Sequence, residues 1–166
     1  MEIRETVQDD YEGICQLITS EEELFLVYPK GTYPLNLEQL EHLKEVRQKL
    51  TVATERLQVI GFANLYDFVP GRHAFIGNLI VDKDFRKRGI GKEMVDYMLG
   101  LVFHQHDLPE ARISVFRDNI PAFNLYSDFG FHLFETTDLK NFKGERVNLL
   151  HMKLSRTEYQ AQTSSF

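Results

Sequence analysis

The chain has 166 residues, 43% hydrophobic and 27% charged, with a formal net charge of -6. This describes a globular chain large enough to bury a core, and the acidic balance excludes a general nucleic-acid surface. No apolar run approaches the roughly 20 residues that span a bilayer, the start MEIRETVQDDYEG is too acidic and polar for a signal peptide, and the single cysteine, Cys15, cannot form an internal disulfide, so the chain is expected in the cytoplasm, away from membranes.

EIRET alternates as a first strand, and VQDDYEGICQLIT reads as a helix with Asp9 or Asp10 near its start and Ile14, Leu17 and Ile18 on its buried side. Cys15 sits among those apolar residues and reads as a packed hydrophobe. Residues 20–35 mix prolines, a glycine and aromatics and read as a loop with helical turns. NLEQLEHLKEVRQKL follows as an amphipathic helix, with Asn36 as N-cap and Leu37, Leu40, Leu43, Val46 and Leu50 as its stripe. Strands are expected at 51–55, 58–68 and 73–82, with VPGRH as a hairpin turn.

A helix over 89–105 comes next, then a strand in ARISVF, then a helix in DNIPAFNLYSDFGF with Asn119 or Asp118 as N-cap and Gly130 as its stop. Strands at 131–137 and 146–154 lead to a polar tail, residues 155–166, expected to fray. The order predicts one α/β domain over residues 1–154, a largely antiparallel central sheet with helices on both faces. The tail and the last strands are where a homodimer contact would fall.

The stretch IVDKDFRKRGIGKEMVDYM, residues 80–98, opposes its own local propensity. A helix start favours negative charge, because its unpaired N–H groups and macrodipole are partly positive; here Arg86, Lys87 and Arg88 precede it, with Gly89 and Gly91 at its mouth. Beyond the mouth, Ile90, Met94, Met98 and Val102 recur on one face. An anion held by bare amides and flanking cations resolves the conflict, which predicts a phosphate or pyrophosphate site over residues 86–92. The P-loop pattern fails, since Glu93 follows Lys92; the dinucleotide fingerprint fails, since Met94 stands where a third glycine is required.

The run Arg86-Lys87-Arg88-Gly89-Ile90-Gly91 does fit the pattern Arg/Gln-x-x-Gly-x-Gly/Ala. With VFRDNIPAFNLYSDFGF downstream in order, the sequence resembles the GCN5-related N-acetyltransferase (GNAT) family over roughly residues 2–154. The resemblance implies an acyltransferase fold and activity, with acetyl-CoA as cosubstrate, no metal, and an amine acceptor that is a small molecule or a peptide. It implies that Arg86, Arg88, Gly89, Ile90, Gly91 and Lys92 hold the coenzyme pyrophosphate. Leu79, Ile80 and Val81 would contact the pantetheine arm, Asn119 would lie near the coenzyme, and Tyr126 beside the thioester sulfur.

The chemistry of each role follows from the residue type. Glycine lets backbone approach a phosphate closely. If the leaving thiolate resembles a free cysteine, pKa about 8.5, a tyrosine near about 10 can protonate it, which would make Tyr126 the general acid. An ammonium of pKa about 10.4 must lose a proton before it attacks. Many family members carry a glutamate on the strand before the motif or after the motif helix; FIGNLIV and ARISVF offer none. Asp67, His73, Glu22, Glu23 or a water chain remain as proton acceptors.

The plainer readings are a solvated basic loop for residues 86–88, a packing role for Tyr126, a capping role for Asn119 and a solvated face for Glu21–Glu23. His104 and His106 diverge on a helix and lack a third partner at metal spacing. The missing glutamates motivate one alternative, a non-catalytic module that binds acyl-CoA.

Overall fold

The computed structural model describes residues 1–163. Seven strands are ordered β1-β2-β3-β4-β5-β7-β6, and the chain divides into two compact units, one of residues 1–66 with 77–98, the other of residues 67–76 with those from 99 onward.

In the first unit, β1 (Glu2–Glu5) and β2 (Gln48–Glu55) pair antiparallel, and β2 pairs antiparallel with β3 (Gln58–Val69). A 3-10 turn over Gln8–Asp10 leads into α1 (Tyr11–Gln16), followed by α2 (Glu21–Val27) and α3 (Leu37–Val46). Their apolar sides form a core of Ile14, Leu17, Ile18, Leu24, Tyr28, Leu40 and Leu43 against Val52 and Phe62 of the strands. Cys15 packs partly buried against that core, and burial raises its thiol pKa, which fits a packed hydrophobe and not a nucleophile.

Asp10 anchors the entry to α1. Its carboxylate accepts from Arg4 Nη1 at 2.7 Å, from Arg4 Nη2 at 2.9 Å and from the Val7 N–H at 2.8 Å. The hydrogen bond from Arg4, more than the opposing burial, holds this carboxyl below the usual range.

Two sequence expectations for α3 are corrected here. Asn36 does cap it, accepting from the Gln39 N–H at 3.0 Å, but the helix ends at Val46 and Leu50 belongs to β2. Leu37 and Val46 are solvent-exposed, so the buried stripe is only Leu40 and Leu43. Helical periodicity continued past the point where the β2 ladder claims the backbone. Residues 20–35, expected as a loop with helical turns, contain one short helix, α2, whose N-cap Ser20 accepts from the Glu23 N–H at 3.1 Å.

β4 (His73–Val81) begins in the second unit, where His73 to Ile76 pair parallel with Glu110 to Ile113 of β5 (Glu110–Phe116). β5 pairs antiparallel with β7 (Arg146–Ser155), and β7 with β6 (His132–Lys140). Alternation places Ala111, Ile113 and Val115 of β5, with Leu150, Met152 and Leu154 of β7, on a buried side. The motif helix, α4 (Ile90–Gly100), runs on into a π turn over Leu101–Gln105, and α5 (Ile120–Asp128) follows β5.

The tail is a further correction. Residues Arg156–Thr163 form α6, begun by a capping box: Glu158 N–H donates to Ser155 Oγ and Ser155 N–H to Glu158 Oε1, each at 3.0 Å. Tyr159 packs at 5.4 Å on Phe103, and Arg156 donates to the Leu108 carbonyl at 2.8 Å. The rest of the tail, residues 164–166, lies outside the described residues.

Candidate functional site

The glycine turn lies wholly in the first unit. Asp82 starts it by accepting from the Asp84 N–H at 2.9 Å, which folds Lys83–Phe85 into one 3-10 turn. Lys87 follows at φ 63° and Gly89 at φ 80°, both left-handed. A non-glycine residue held there is strained by roughly 1–2 kcal/mol, and successive backbone N–H groups in such a turn form an anion-binding concavity. A Cβ built on Gly89 meets nothing within 4 Å, so glycine serves the φ angle and an open approach and not a crowded core.

The first bond of α4 runs from the Glu93 N–H to the Gly89 carbonyl at 3.1 Å. The N–H groups of Ile90, Gly91 and Lys92 therefore precede the ladder, at the positive end of an 11-residue helix. Buried Ile90 and Met94 seat the helix, and the close packing has a cause in β3: a Cβ on Gly61 would sit 2.5 Å from Met94 Sδ. The expected stripe of Ile90, Met94, Met98 and Val102 is buried throughout, joined by Val95 and Leu99.

The cations at the mouth are half exposed, 48% for Arg86 and 50% for Arg88, and each is held by a carboxylate. Arg86 donates through Nε to the Val81 carbonyl at 3.1 Å, tying the turn to the end of β4, and its Nη2 lies 3.4 Å from Glu23 Oε1. Arg88 Nη2 donates to both Glu55 oxygens at 3.2 and 3.3 Å, with its guanidinium over the Phe85 ring. Glu23 is thus an ion-pair partner of the turn rather than part of a solvated acidic face. Lys92 is exposed, and Leu79, Ile80 and Val81 are the last three residues of β4.

Asn78, the residue before them, is the polar member of the otherwise apolar end of β4. It is buried at φ 50°. Its amide donates to the Val27 carbonyl at 2.6 Å and its carbonyl accepts from Asn64 Nδ2 at 2.8 Å; Asn64 in turn accepts from Arg47 Nη1 at 3.1 Å. The guanidinium of Arg47 stacks 4.3 Å from the Tyr66 ring, over Gly77, where a Cβ would meet Tyr66 at 2.5 Å and Arg47 at 2.6 Å. This network joins the ends of α2 and α3 to β3 and β4, and the sequence reading missed it. An asparagine inside the apolar runs FANLY and FIGNLIV was the available signal, since a polar side chain buried in a strand must find partners.

Asn119 and Tyr126 both belong to the second unit, on α5. Asn119 is the N-cap, its Oδ1 accepting from the Ala122 N–H at 3.4 Å, with Pro121 in the first turn. Tyr126 is 5% exposed and packs edge-on against Phe131, ring centroids 6.2 Å apart. Of the proton-acceptor candidates, Asp67 sits in β3 at φ 44°. His73 packs on Phe75, and burial, reinforced by Arg112, lowers its pKa, which favours the neutral ring. Glu22 is exposed on α2.

Among the described residues no group of three or more His, Cys, Asp or Glu side chains could hold a metal ion; His106 packs edge-on against Phe68. Nor is any described helix long and apolar enough to cross a membrane.

Comparison with known proteins agrees with this geometry. Residues 11–131 match the Acetyltransferase (GNAT) family. A probable spermine N(1)-acetyltransferase of Bacillus subtilis subsp. natto (strain BEST195) is 29% identical over 97 residues, 54% of this chain and 60% of that protein. Among solved structures, the spermidine N-acetyltransferase of Vibrio cholerae, in complex with CoA and spermine, superposes with a TM-score of 0.81 at 18% identity, covering 96% of this chain and 97% of that one. The ribosomal-protein-alanine N-acetyltransferase of Brucella melitensis gives 0.77 at 18% identity, covering 93% and 99%. At such identities these structures establish a shared fold.

Proposed function

Because the chain belongs to the acetyltransferase (GNAT) family, we propose that it is an acetyl-CoA-dependent N-acetyltransferase, acting by direct attack of a primary amine on the thioester. The observation that carries this reading is the left-handed, open turn at Gly89, with Arg86 and Arg88 beside the unladdered N–H groups of Ile90, Gly91 and Lys92. Those donors and charges suit a pyrophosphate. Leu79–Val81 would bond the pantetheine arm through their main chain, and Asn119 would lie near the coenzyme while capping its own helix.

When bound, the cosubstrate supplies the activated acetyl group. Tyr126 donates its phenolic proton to the departing thiolate, so that the leaving group departs as the neutral thiol. The activity is assigned to residues 1–154, in the cytoplasm, as monomer or homodimer.

Spermine is the first acceptor to test, because two relatives are named for polyamines and Glu21 and Glu22 are exposed on α2 of an acidic chain. A peptide with an N-terminal alanine is the second, from the ribosomal-protein enzyme. The test is calorimetric titration of acetyl-CoA, followed by release of free CoA thiol with each amine. Coenzyme binding with amine-dependent thiol release is the expected result. Tight binding without thiol release from either amine would refute the catalytic reading and favour an acyl-CoA-binding module.

A further inference from the structure

The second unit holds a hydrogen-bonded chain that the acetyl-transfer reading leaves unused. Ser114 and His151 are direct register partners across β5 and β7, and Ser114 Oγ lies 2.7 Å from His151 Nδ1. On the far side of the ring, Nε2 lies 2.8 Å from Thr137 Oγ1 on β6. Phe75 and Phe134 flank the imidazole, ring centroids 6.4 and 6.3 Å away. Ser114 and His151 are half-buried and Thr137 is exposed, so the chain runs outward to solvent. Ser114 is also the first residue of β5 beyond its ladder with β4, which ends at the Ile76–Ile113 pair. Tyr126 sits on α5, which packs against β5.

We infer that Ser114 and His151 form the proton relay that neutralises the attacking amine, filling the role that the absent glutamates leave open; this rests on the acetyl-transfer reading above. An ammonium N–H bond breaks and its proton passes to Ser114 Oγ, while the Ser114 O–H proton passes to His151 Nδ1. The electron pair stays on the amine nitrogen, which then attacks. The imidazolium releases its Nε2 proton through Thr137 to solvent, which leaves the Nδ1–H tautomer; proton exchange with water returns the ring to its Nε2–H tautomer before the next turnover, with no net co-reactant. Imidazole suits the task because its ordinary pKa falls between about 5 and 8. Ser114 is the group that meets the amine; His151 acts through it.

Other charges face the ring. Glu135 is its register partner on β6; Arg112 and Lys153 stand over Phe134 at 4.6 and 5.5 Å; Glu110 binds Arg112 at 2.6 Å; and His73 adjoins Phe75. The shape of a pH profile therefore discriminates better than a single rate.

The experiment measures kcat/KM for acetyl transfer to spermine, or to the alanine peptide if that is the amine consumed, from about pH 6 to about pH 10 in wild type, His151→Gln and Ser114→Ala. Wild type should level off well below the amine's own pKa. Both variants should fall about 100-fold near pH 7, then rise about tenfold per pH unit toward the amine's own pKa near about 10, because only free amine reacts without the relay. Unchanged acetyl-CoA affinity shows that a variant is folded, and Ser114→Ala, which removes one oxygen, carries the test if His151→Gln does not fold. If the profiles keep the wild-type shape and are merely scaled down, the trio serves packing and the relay is refuted while acetyl transfer stands. Wild type that binds acetyl-CoA and acetylates neither amine overturns both.

Discussion

Replacing Gly89 by Asp should leave the fold intact and weaken acetyl-CoA binding strongly. Gly89 is exposed at φ 80° with nothing within 4 Å of an added Cβ. The cost to the free protein is therefore conformational, about 1–2 kcal/mol for an ordinary residue and less for Asp, which tolerates this region. A carboxylate at the start of α4 recovers about 0.3–1 kcal/mol from the helix dipole. Against a pyrophosphate the same carboxylate is repulsive: at about 4 Å, one pair of like charges costs about 1 kcal/mol in water-like surroundings and about 4 kcal/mol at an effective dielectric of about 20. Those limits correspond to losses of about 5-fold and about 1000-fold in affinity. Calorimetric titration of acetyl-CoA into wild type, Gly89→Asp and Gly89→Ala separates charge from strain, because alanine carries only the strain. The gap between the two variants should widen at low salt, where screening is weaker. A folded Gly89→Asp protein that binds as tightly as Gly89→Ala at low salt would show that no phosphate approaches this turn.

Three other outcomes can be checked with the same protein. Glu55→Gln frees Arg88 from a half-exposed ion pair of the kind worth about 0–1 kcal/mol, so calorimetry should show acetyl-CoA binding tightened by up to about 5-fold. Asp10→Asn should cost about 1.5–3 kcal/mol near neutral pH, through the charged hydrogen bonds with Arg4. Since the folded Asp10 pKa is depressed, that stability is present above the unfolded value of about 3.9 and lost as pH falls through the folded one; urea melts should show the wild-type advantage shrinking below about pH 4. Arg56 and Leu57 form the two-residue loop between paired Glu55 and Gln58 at φ 50° and 68°, with Leu57 101% exposed. Asn-Gly at those positions should therefore raise stability by about 1–2 kcal/mol, read as a Tm increase of roughly 2–4 °C per kcal/mol.

The features that local chemistry specifies were legible in the chain. Two glycines and three cations at the mouth of an apolar-periodic helix marked an irregular turn, and the turn there is left-handed at Lys87 and Gly89; its binding of an anion is the proposal made above. Asn36 and Asn119 cap the helices expected of them, because a cap is a contact among residues three apart. The helices α2 and α6 were also written locally. Ser20 with Glu23 and Ser155 with Glu158 both have the S-x-x-E spacing of a capping box; the first falls where helical turns were expected, the second in a tail expected to fray.

Long-range pairing decided the rest. Periodicity alone extended α3 to Leu50, but backbone hydrogen bonds to β1 and β3 take the chain into β2 from Gln48, leaving Val46 58% exposed. Glu23 and Arg86 are 63 residues apart in the chain and 3.4 Å apart in space; the acidic run alone could not name its partner. Ser114, His151 and Thr137 are unremarkable on three separate strands. They become a chain of hydrogen bonds because the β5–β7 and β6–β7 registers bring them side by side. The sequence determined where unladdered backbone amides gather at the mouth of α4, since that depends on neighbours within one turn. Tertiary structure alone decided which charges and proton carriers meet, because a sheet register is set by packing over its whole length.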